Sequence, residues 1–349
     1  MSLVICIPKG SELTMREDAA VKTVDLKKLF PVSTGFFQFW ISKEEERFYV
    51  HAVDGITFSI SECETLGLVG ESGCGKTTAG LLLLNLLEPT SGVIYSGGIN
   101  TSTLNKREWK DLRRKMQIIF QNPYESLNPR MTTLDIVAEP LRLLKVAKNE
   151  EEVEKRVKET LEIVGLAPPE DFLDRYPHEL SGGQRQRVGV ARAFVLQPTF
   201  VVADEPVSML DVSIRVGVLR AMKELAERYK TAYLFITHDL ALARYMCDRI
   251  AVMYLGKIVE KGPTEQIINK SLHPYTKALI SAVPVPDPEA RRTEEIPIKG
   301  EVPSGIIIPE GCRFHPRCLY TTHKCRESEP ELVDAGNNHF VACFRYKEL

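Results

Sequence analysis

The hydrophobic positions of this chain follow two patterns that alternate between about residue 24 and residue 283. Short apolar runs typical of buried strands occupy residues 65–69, 200–203, 232–236 and 250–253. Between the second and third runs, apolar residues recur at helical spacing, at Ile214, Val218, Met222 and Leu225. Strands that alternate with helices predict a largely parallel sheet covered on both faces, and therefore an α/β fold.

Three stretches depart from this alternation. Residues 1–20 resemble a tail, which places the start of the main domain near residue 21. From about 122 to 190, Pro-rich turns and the charged helical pattern at 153–164 predict an inserted helical subdomain. Beyond residue 283 the prolines of a charged linker precede a cysteine-bearing segment, so a C-terminal extension is expected over 284–349.

Composition and charge narrow the class of protein. Lys+Arg is 45 and Asp+Glu is 47, a net charge of −2, so there is no global electrostatic case for a nucleic-acid partner. No run of 18 apolar residues is present, and the N-terminus lacks the pattern of a secretory signal. We therefore expect a cytosolic protein whose eight cysteines are reduced thiols or metal ligands.

A phosphate-binding loop is predicted at residues 70–77, which match the pattern G-x-x-x-x-G-K-[ST]. The apolar run 65–69 precedes the loop, and a Leu-rich helix is predicted at 79–87 after it. Glycines let backbone N–H groups turn toward an anion at a helix N-terminus. Lys76 is expected to pair with the β- and γ-phosphates and Thr77 to coordinate Mg²⁺. The predicted nucleotide-binding set here is Gly70, Ser72, Gly73, Cys74, Gly75, Lys76, Thr77 and Thr78.

Two later strand ends carry polar residues suited to the same site. The run 200–203 ends in Asp204 and Glu205, and the run 232–236 leads to His238. The carboxyl ends of neighbouring parallel strands lie at the same edge of a sheet, so these side chains are expected beside the phosphates. Asp204 is predicted to bind Mg²⁺, Glu205 to polarise the attacking water and His238 to face the γ-phosphate.

A second helix N-terminus, at residues 180–187, has the same anion-binding character. Its small residues leave bare N–H groups that can hold a phosphate, and they are followed by an apolar-periodic helix at 188–196. One ATP does not need two such loops from one chain, so a second chain is expected to share the site. The predicted residues are Ser181, Gly182, Gly183 and Gln184.

Residues 180–187, which read Leu-Ser-Gly-Gly-Gln-Arg-Gln-Arg, resemble the signature motif of the ABC ATPase family. The resemblance implies a P-loop NTPase with a RecA-like core, an antiparallel β-subdomain, an inserted helical subdomain and a small Cys-rich extension. It also implies that Gln121 contacts Mg²⁺ and the attacking water, and that residues 208–211, with Asp211, lie at the interface between two ATPase domains. Tyr49 or Phe48 is similar in position to the aromatic residue that stacks on adenine.

The segments 120–131 and 273–279 are similar to the ATPase subunits of oligopeptide and dipeptide permeases. This resemblance implies an ATP-hydrolysing subunit at the cytoplasmic face of the membrane, paired with a copy or a paralogue. Its other implied partners are two membrane permease subunits and, through them, a solute-binding protein. The alternatives are a soluble ABC ATPase of translation or DNA repair, and an iron–sulfur regulatory protein with a vestigial nucleotide site.

Four cysteines lie close together near the C-terminus, at Cys312, Cys318, Cys325 and Cys343. Clustered thiols in a cytosolic protein favour a metal site, although the spacing lacks the C-x₂-C pairs of structural zinc. Four thiolates suit a [4Fe–4S] cluster, and the subfamily resemblance implies one. Zinc, unliganded thiols and partial disulfides remain open alternatives.

Overall fold

The structure is a computed structural model that describes residues 19–32, 48–282, 298, 300 and 303–349. Most of the predicted linker and most of the predicted N-terminal tail lie outside these residues. The strands are β1 (Ala19–Pro31), β2 (Tyr49–Ser61), β3 (Thr65–Val69), β4 (Ser91–Ser96), β5 (Ile99–Asn100), β6 (Met116–Ile119), β7 (Phe200–Asp204), β8 (Ala232–Thr237), β9 (Arg249–Tyr254), β10 (Lys257–Pro263), β11 (Val333–Asp334) and β12 (Phe340–Val341).

The helices alternate with these strands and concentrate between β6 and β7. They are α1 (Lys76–Leu83), α2 (Lys106–Lys115), α3 (Pro123–Ser126), α4 (Thr133–Leu143), α5 (Glu150–Ile163), α6 (Glu170–Leu173), α7 (Gly182–Phe194), α8 (Val212–Tyr229), α9 (Leu240–Met246), α10 (Thr264–Asn269), α11 (Pro274–Ser281) and α12 (His323–Glu327). None of the described helices is long and apolar enough to cross a membrane.

The larger sheet has the strand order β11-β12-β10-β9-β3-β8-β7-β6. Its half from β9 to β6 is parallel, and β10, β11 and β12 add to the other edge antiparallel. Every residue of β3, β7 and β8 is buried, as the uninterrupted apolar runs predict. The α/β prediction is confirmed, and this sheet places the ends of β3, β7 and β8 along one edge.

A second sheet, of order β2-β1-β4-β5, is antiparallel throughout and forms the predicted antiparallel β-subdomain. Its first strand begins at Ala19, two residues inside the predicted tail. The buried face of this sheet packs with α1 and the nearby strands of the larger sheet, through Ile56, Phe58 and Leu82. This packing brings the start of β2 beside the loop between β3 and α1.

The helical insertion holds α3 to α7, and α4, α5 and α7 bury one apolar core against α8.

Of the predicted helices, the one at 79–87 is wrong in its bounds, since α1 ends at Leu83. Asn85 adopts a left-handed backbone with φ 51°, which ends the helix, and Leu86 is exposed. A continuous Leu-rich run therefore does not guarantee a continuous helix.

Candidate functional site

The loop between β3 and α1 has the geometry of an anion-binding turn. Lys76 is the first residue of α1 and is buried, and its ammonium Nζ donates to the carbonyl oxygens of Gly70, at 2.7 Å, and Glu71, at 2.9 Å. Ser72 and Gly73 of the loop are exposed, as is Thr77, the second residue of α1. The helix N-terminus and the lysine together present positive charge to this opening.

Two glycines of the loop stand where no side chain fits. A Cβ on Gly75, whose φ is +106°, would lie 1.8 Å from the carbonyl oxygen of Ala52 in β2. A Cβ on Gly70 would lie 2.2 Å from the carbonyl oxygen of Met253 in β9. Close packing against both sheets therefore fixes the path of the loop. Cys74 lies within the loop and Thr78 in the first turn of α1, and burial raises the pKa of the Cys74 thiol.

Asp204, at the end of β7, lies beside the start of α1. Its Oδ1 accepts a hydrogen bond of 3.2 Å from the Thr77 hydroxyl. Burial raises the pKa of Asp204; the hydrogen bond from Thr77 opposes this, and the charge of Glu205 raises the pKa further. A hydroxyl and a carboxylate at this distance form an oxygen pair of the kind that Mg²⁺ prefers.

Glu205 is the centre of a hydrogen-bonded trio drawn from three elements. Gln121, after β6, donates from Nε2 to Oε2 of Glu205 at 3.0 Å. The Nδ1 atom of His238, after β8, lies 3.0 Å from the other oxygen, Oε1. The structure thus brings the three predicted catalytic residues together, one residue beyond the Asp204 carboxylate. An oriented carboxylate of this kind can accept a proton from water.

The second predicted anion-binding turn is the N-terminus of α7. Ser181 caps the helix, and its side chain and that of Gln184 bond each other's backbone N–H groups, at 3.3 and 2.8 Å. A Cβ on Gly183 would lie 2.5 Å from Cγ2 of Ile214, so this glycine permits close contact with α8. The first N–H groups of an α-helix have no partner within the helix, which leaves those of the two glycines available.

The segment 208–211 leads from the Glu205 trio into α8. The Ser208 hydroxyl donates to the carbonyl oxygen of Glu205 at 3.1 Å. Asp211 is exposed at the start of α8, and Met209 is 60% exposed. Leu210, by contrast, is buried, and a Cβ on Gly182 would lie 3.8 Å from it. This segment therefore contacts both Glu205 of the trio and the turn before α7.

The start of β2 holds both candidate aromatic residues. Phe48 is 52% exposed and precedes the strand, and Tyr49 is its first residue and is half-buried. Two positions further, the His51 amide donates to the carbonyl oxygen of Gly305, at 2.9 Å, in the C-terminal extension. No contact of the described residues chooses between Phe48 and Tyr49, so the adenine-stacking residue stays a prediction.

Contacts from the C-terminal extension to the loop region are the feature that sequence patterns missed. Arg317 donates to both carboxylate oxygens of Glu71. Arg313 donates to Asp54 in β2 and to the carbonyl oxygen of Leu255. Burial raises the pKa of Asp54, but the hydrogen bonds from Arg313 and His51 outweigh it and lower the pKa to about 2. These contacts join residues far apart in the chain, which no periodicity can indicate.

The four C-terminal cysteines line one cavity, together with His273, Phe314 and Tyr320. None of the four forms a disulfide, and burial raises the pKa of the Cys312 thiol to about 12. Within the described residues, no three His, Cys, Asp or Glu side chains stand in an arrangement that could hold a metal ion. The four thiols are the donor type that an iron–sulfur group takes, but the structure does not gather them to ligating positions.

Comparison with known proteins defines the class of this site. A family model described as "ABC transporter" matches residues 53–208, and one described as "Oligopeptide/dipeptide transporter, C-terminal region" matches residues 259–325. The chain is similar to the solved dimeric structure of a post-hydrolysis state of the ATP-binding cassette MJ0796 bound to ADP and Pi. The TM-score is 0.60 at 30% identity, over 70% of this chain and 98% of the other.

The chain is also similar to named relatives over nearly its whole length. It is 46% identical to the oligopeptide transport ATP-binding protein AppF of Bacillus subtilis, over 95% of this chain and 98% of AppF. It is 47% identical to the dipeptide transport ATP-binding protein DppF of Haemophilus influenzae, over 93% and 96%. The chain is therefore an ATPase of the ABC transporter family, in the oligopeptide/dipeptide transporter branch, which confirms the predicted family and fold.

Proposed function

We propose that this chain is the ATP-hydrolysing subunit of an importer that takes up oligopeptides or dipeptides through separate membrane permease subunits. The observation that carries the proposal is the trio of Gln121, Glu205 and His238, whose central carboxylate directly follows Asp204 in the chain. The C-terminal part of the chain also matches the peptide-transporter branch. AppF and DppF, named for oligopeptide and dipeptide transport, support this class of solute.

The loop residues supply the nucleotide contacts in this proposal. Lys76 leaves its two carbonyl partners to bind the β- and γ-phosphates, and backbone amides of the loop surround them. The Thr77 hydroxyl and Oδ1 of Asp204, which lie 3.2 Å apart, would hold Mg²⁺ together with Gln121. When bound, the metal would supply positive charge that offsets the negative charge of the phosphates.

The reaction then depends on positioning and charge. Glu205 accepts a proton from the attacking water, while Gln121 and His238 hold its two oxygens in place. Charge that develops on the terminal phosphate is met by Lys76 and the turn before α7. That turn comes from the facing ATPase subunit, so Ser181, Gly182, Gly183 and Gln184 act on the nucleotide of the partner. Asp211 lies at the same interface.

The partners and location follow from this arrangement. A second ABC ATPase, either a copy or a paralogue, completes each nucleotide site, so association strengthens when ATP is bound. The two ATPase subunits close and open around ATP and pass this motion to two permease subunits. An extracytoplasmic solute-binding protein delivers peptide to the permease subunits. The chain is peripheral at the cytoplasmic face of the membrane.

For the cysteine cavity we propose a [4Fe–4S] cluster held by Cys312, Cys318, Cys325 and Cys343. Four thiols that line one cavity support it, of which that of Cys325 is buried and the other three are partly buried, and the thiols must draw together as thiolates around the iron. The group would supply a cross-link between segments of the extension that are far apart in sequence. It is proposed as structural or sensing, since no substrate site adjoins it among the described residues.

Affinity purification from solubilised membranes tests the transport function. The bait is the full chain with Glu205→Gln, held closed by ATP and Mg²⁺, with Lys76→Ala as the matched control that does not close. We expect mass identification of two membrane permease proteins and a second ABC ATPase. Recovery of ribosomal or DNA-repair proteins in place of membrane proteins would contradict transport and favour the soluble ABC ATPase alternative.

A further inference from the structure

One buried arginine of the C-terminal extension reaches the phosphate loop. Arg317 donates hydrogen bonds to both carboxylate oxygens of Glu71, at 2.8 and 3.1 Å. The side chain of Arg317 is 8% exposed and that of Glu71 is 24% exposed, so water screens this pair poorly. Bidentate guanidinium–carboxylate pairs are strong and fix the relative orientation of the two groups.

Glu71 is part of the loop that binds the phosphates. Its carbonyl oxygen accepts a hydrogen bond of 2.9 Å from the Lys76 ammonium, and its amide donates to the Tyr275 hydroxyl at 2.9 Å. Its backbone is therefore fixed on both sides. Its carboxylate is a negative charge built into a loop whose ligand is an anion, and repulsion between like charges is strong where solvent is partly excluded. Arg317 provides the compensating positive charge.

The turns that carry the arginine are held by backbone hydrogen bonds within the extension and by a ring contact to the main domain. Its amide donates to the carbonyl oxygen of Phe314 at 3.0 Å, and the His315 amide donates to that of Cys312 at 2.9 Å. The Phe314 ring packs edge-on against Tyr254, with ring centroids 5.3 Å apart. The turns that carry Arg317 therefore start at Cys312, which lines the cysteine cavity, and place Arg317 in contact with the main domain.

We propose that Arg317 is a positioning residue for nucleotide binding, which neutralises Glu71 and holds its carboxylate against the extension so that the phosphate loop keeps a net positive field. The inference rests on the proposed ATPase site and deepens it. It makes the C-terminal extension a working part of that site. Arg317 itself contacts neither the phosphates nor the metal in this proposal, because its guanidinium is engaged with Glu71.

The test is a charge-rescue cycle in the full chain, read as the equilibrium Kd for a fluorescent ATP analogue in Mg²⁺. Arg317→Gln leaves a half-buried carboxylate unpaired beside the phosphates, and we expect Kd to rise roughly tenfold or more. Adding Glu71→Gln removes that charge, and the double variant is expected to bind within about threefold of wild type, as Glu71→Gln alone does. The weakening in Arg317→Gln should be greater for the ATP analogue than for its diphosphate form.

The matched control is Arg326→Gln, which changes an exposed arginine next to Cys325 and should leave Kd unchanged. Wild-type affinity in Arg317→Gln would overturn the inference. Equal weakness in the single and double variants would also overturn it, because Arg317 would then act by packing alone. Lys76→Ala distinguishes failure of the proposed nucleotide site from failure of the role of Arg317. If Lys76→Ala retains ATP affinity, the proposed site is wrong. If Lys76→Ala loses affinity and Arg317→Gln does not, only the role of Arg317 is wrong.

Discussion

Nδ1 of His238 lies 3.0 Å from Oε1 of Glu205, and this contact joins the ends of two neighbouring parallel strands, β8 and β7. Glu205 holds a left-handed backbone, with φ 44°, and its amide donates to the carbonyl oxygen of Ile236 at 3.0 Å. Such a conformation costs on the order of 1 kcal/mol or more for a residue with a side chain. Strain and hydrogen bonds together therefore orient the proposed base.

Replacement of Glu205 by Gln should separate binding from hydrolysis. The amide keeps the size of the side chain but cannot take a proton from water, so ATP hydrolysis is expected to fall roughly 10²- to 10⁴-fold. Affinity for ATP should stay near wild type, because Lys76, Thr77 and Asp204 are untouched. Phosphate release and equilibrium ATP binding are the two measurements.

The control for this prediction is Glu224→Gln, an exposed carboxylate on α8 outside the trio. It should leave both measurements unchanged. Turnover near wild type in Glu205→Gln would show that Glu205 is not the base. Loss of ATP affinity in that variant would show that the carboxylate acts in binding.

Replacement of Lys76 by Ala should remove most nucleotide affinity. The ammonium is the buried cation of the phosphate loop, and its two carbonyl partners hold it at the anion opening. We expect ATP affinity to fall by about a hundredfold, since a charge-assisted contact to phosphate is lost. Labelled-ATP binding checks this, with Lys110→Ala, an exposed change on α2, as the control. Unchanged binding in Lys76→Ala would refute its role.

Local patterns predicted the parts of the site that are built from contiguous residues. The apolar run 65–69 is β3, and the charged pattern at 153–164 lies in α5 except for its last residue, because burial on both faces and helical periodicity leave direct marks on a sequence. Ser181 as the cap of α7 is also confirmed. The predicted end of the helix after the phosphate loop is wrong, because the left-handed turn at Asn85 stops a helix that the Leu-rich run favours.

Contacts across long sequence separations could not be predicted in this way. Glu71 and Arg317 are separated by 246 positions, and neither residue type is unusual at its place in the chain. Nor do the spacings of the cysteines reveal that β12 pairs with β10, with Glu260 opposite Val341. These contacts depend on how the extension folds back on the main domain, which only the three-dimensional structure describes.

Asp204→Asn should stabilise the nucleotide-free protein while it weakens metal-dependent hydrolysis. Burial raises the pKa of Asp204, so ionising this carboxylate in the folded state costs free energy at neutral pH. Wild type should therefore lose stability relative to the variant as pH rises from the ordinary Asp pKa through the raised one. Asn keeps an oxygen for the Thr77 hydroxyl. We expect a higher Tm for Asp204→Asn at pH 7 and convergence of the two Tm values in acid.

The matched measurement for this prediction uses Mg²⁺ and ATP. Wild type should gain Tm when both are added, because the cation compensates the buried carboxylate, and the variant should gain less. A lower Tm for Asp204→Asn at pH 7 would contradict a destabilising charge at this position. An equal gain with Mg²⁺ and ATP would remove Asp204 from the metal site.

Iron content decides what the cysteine cavity holds. Protein purified without oxygen should be brown and contain about four iron atoms per chain, as a four-thiolate [4Fe–4S] cluster requires. Cys325→Ser removes one buried thiol of the cavity and should lower the iron content and bleach the visible absorption. Cys247→Ser, a buried cysteine outside the cavity, is the matched control and should keep both. Colourless, iron-free protein with stoichiometric zinc would overturn the cluster in favour of zinc, and metal-free protein would leave four ordinary thiols.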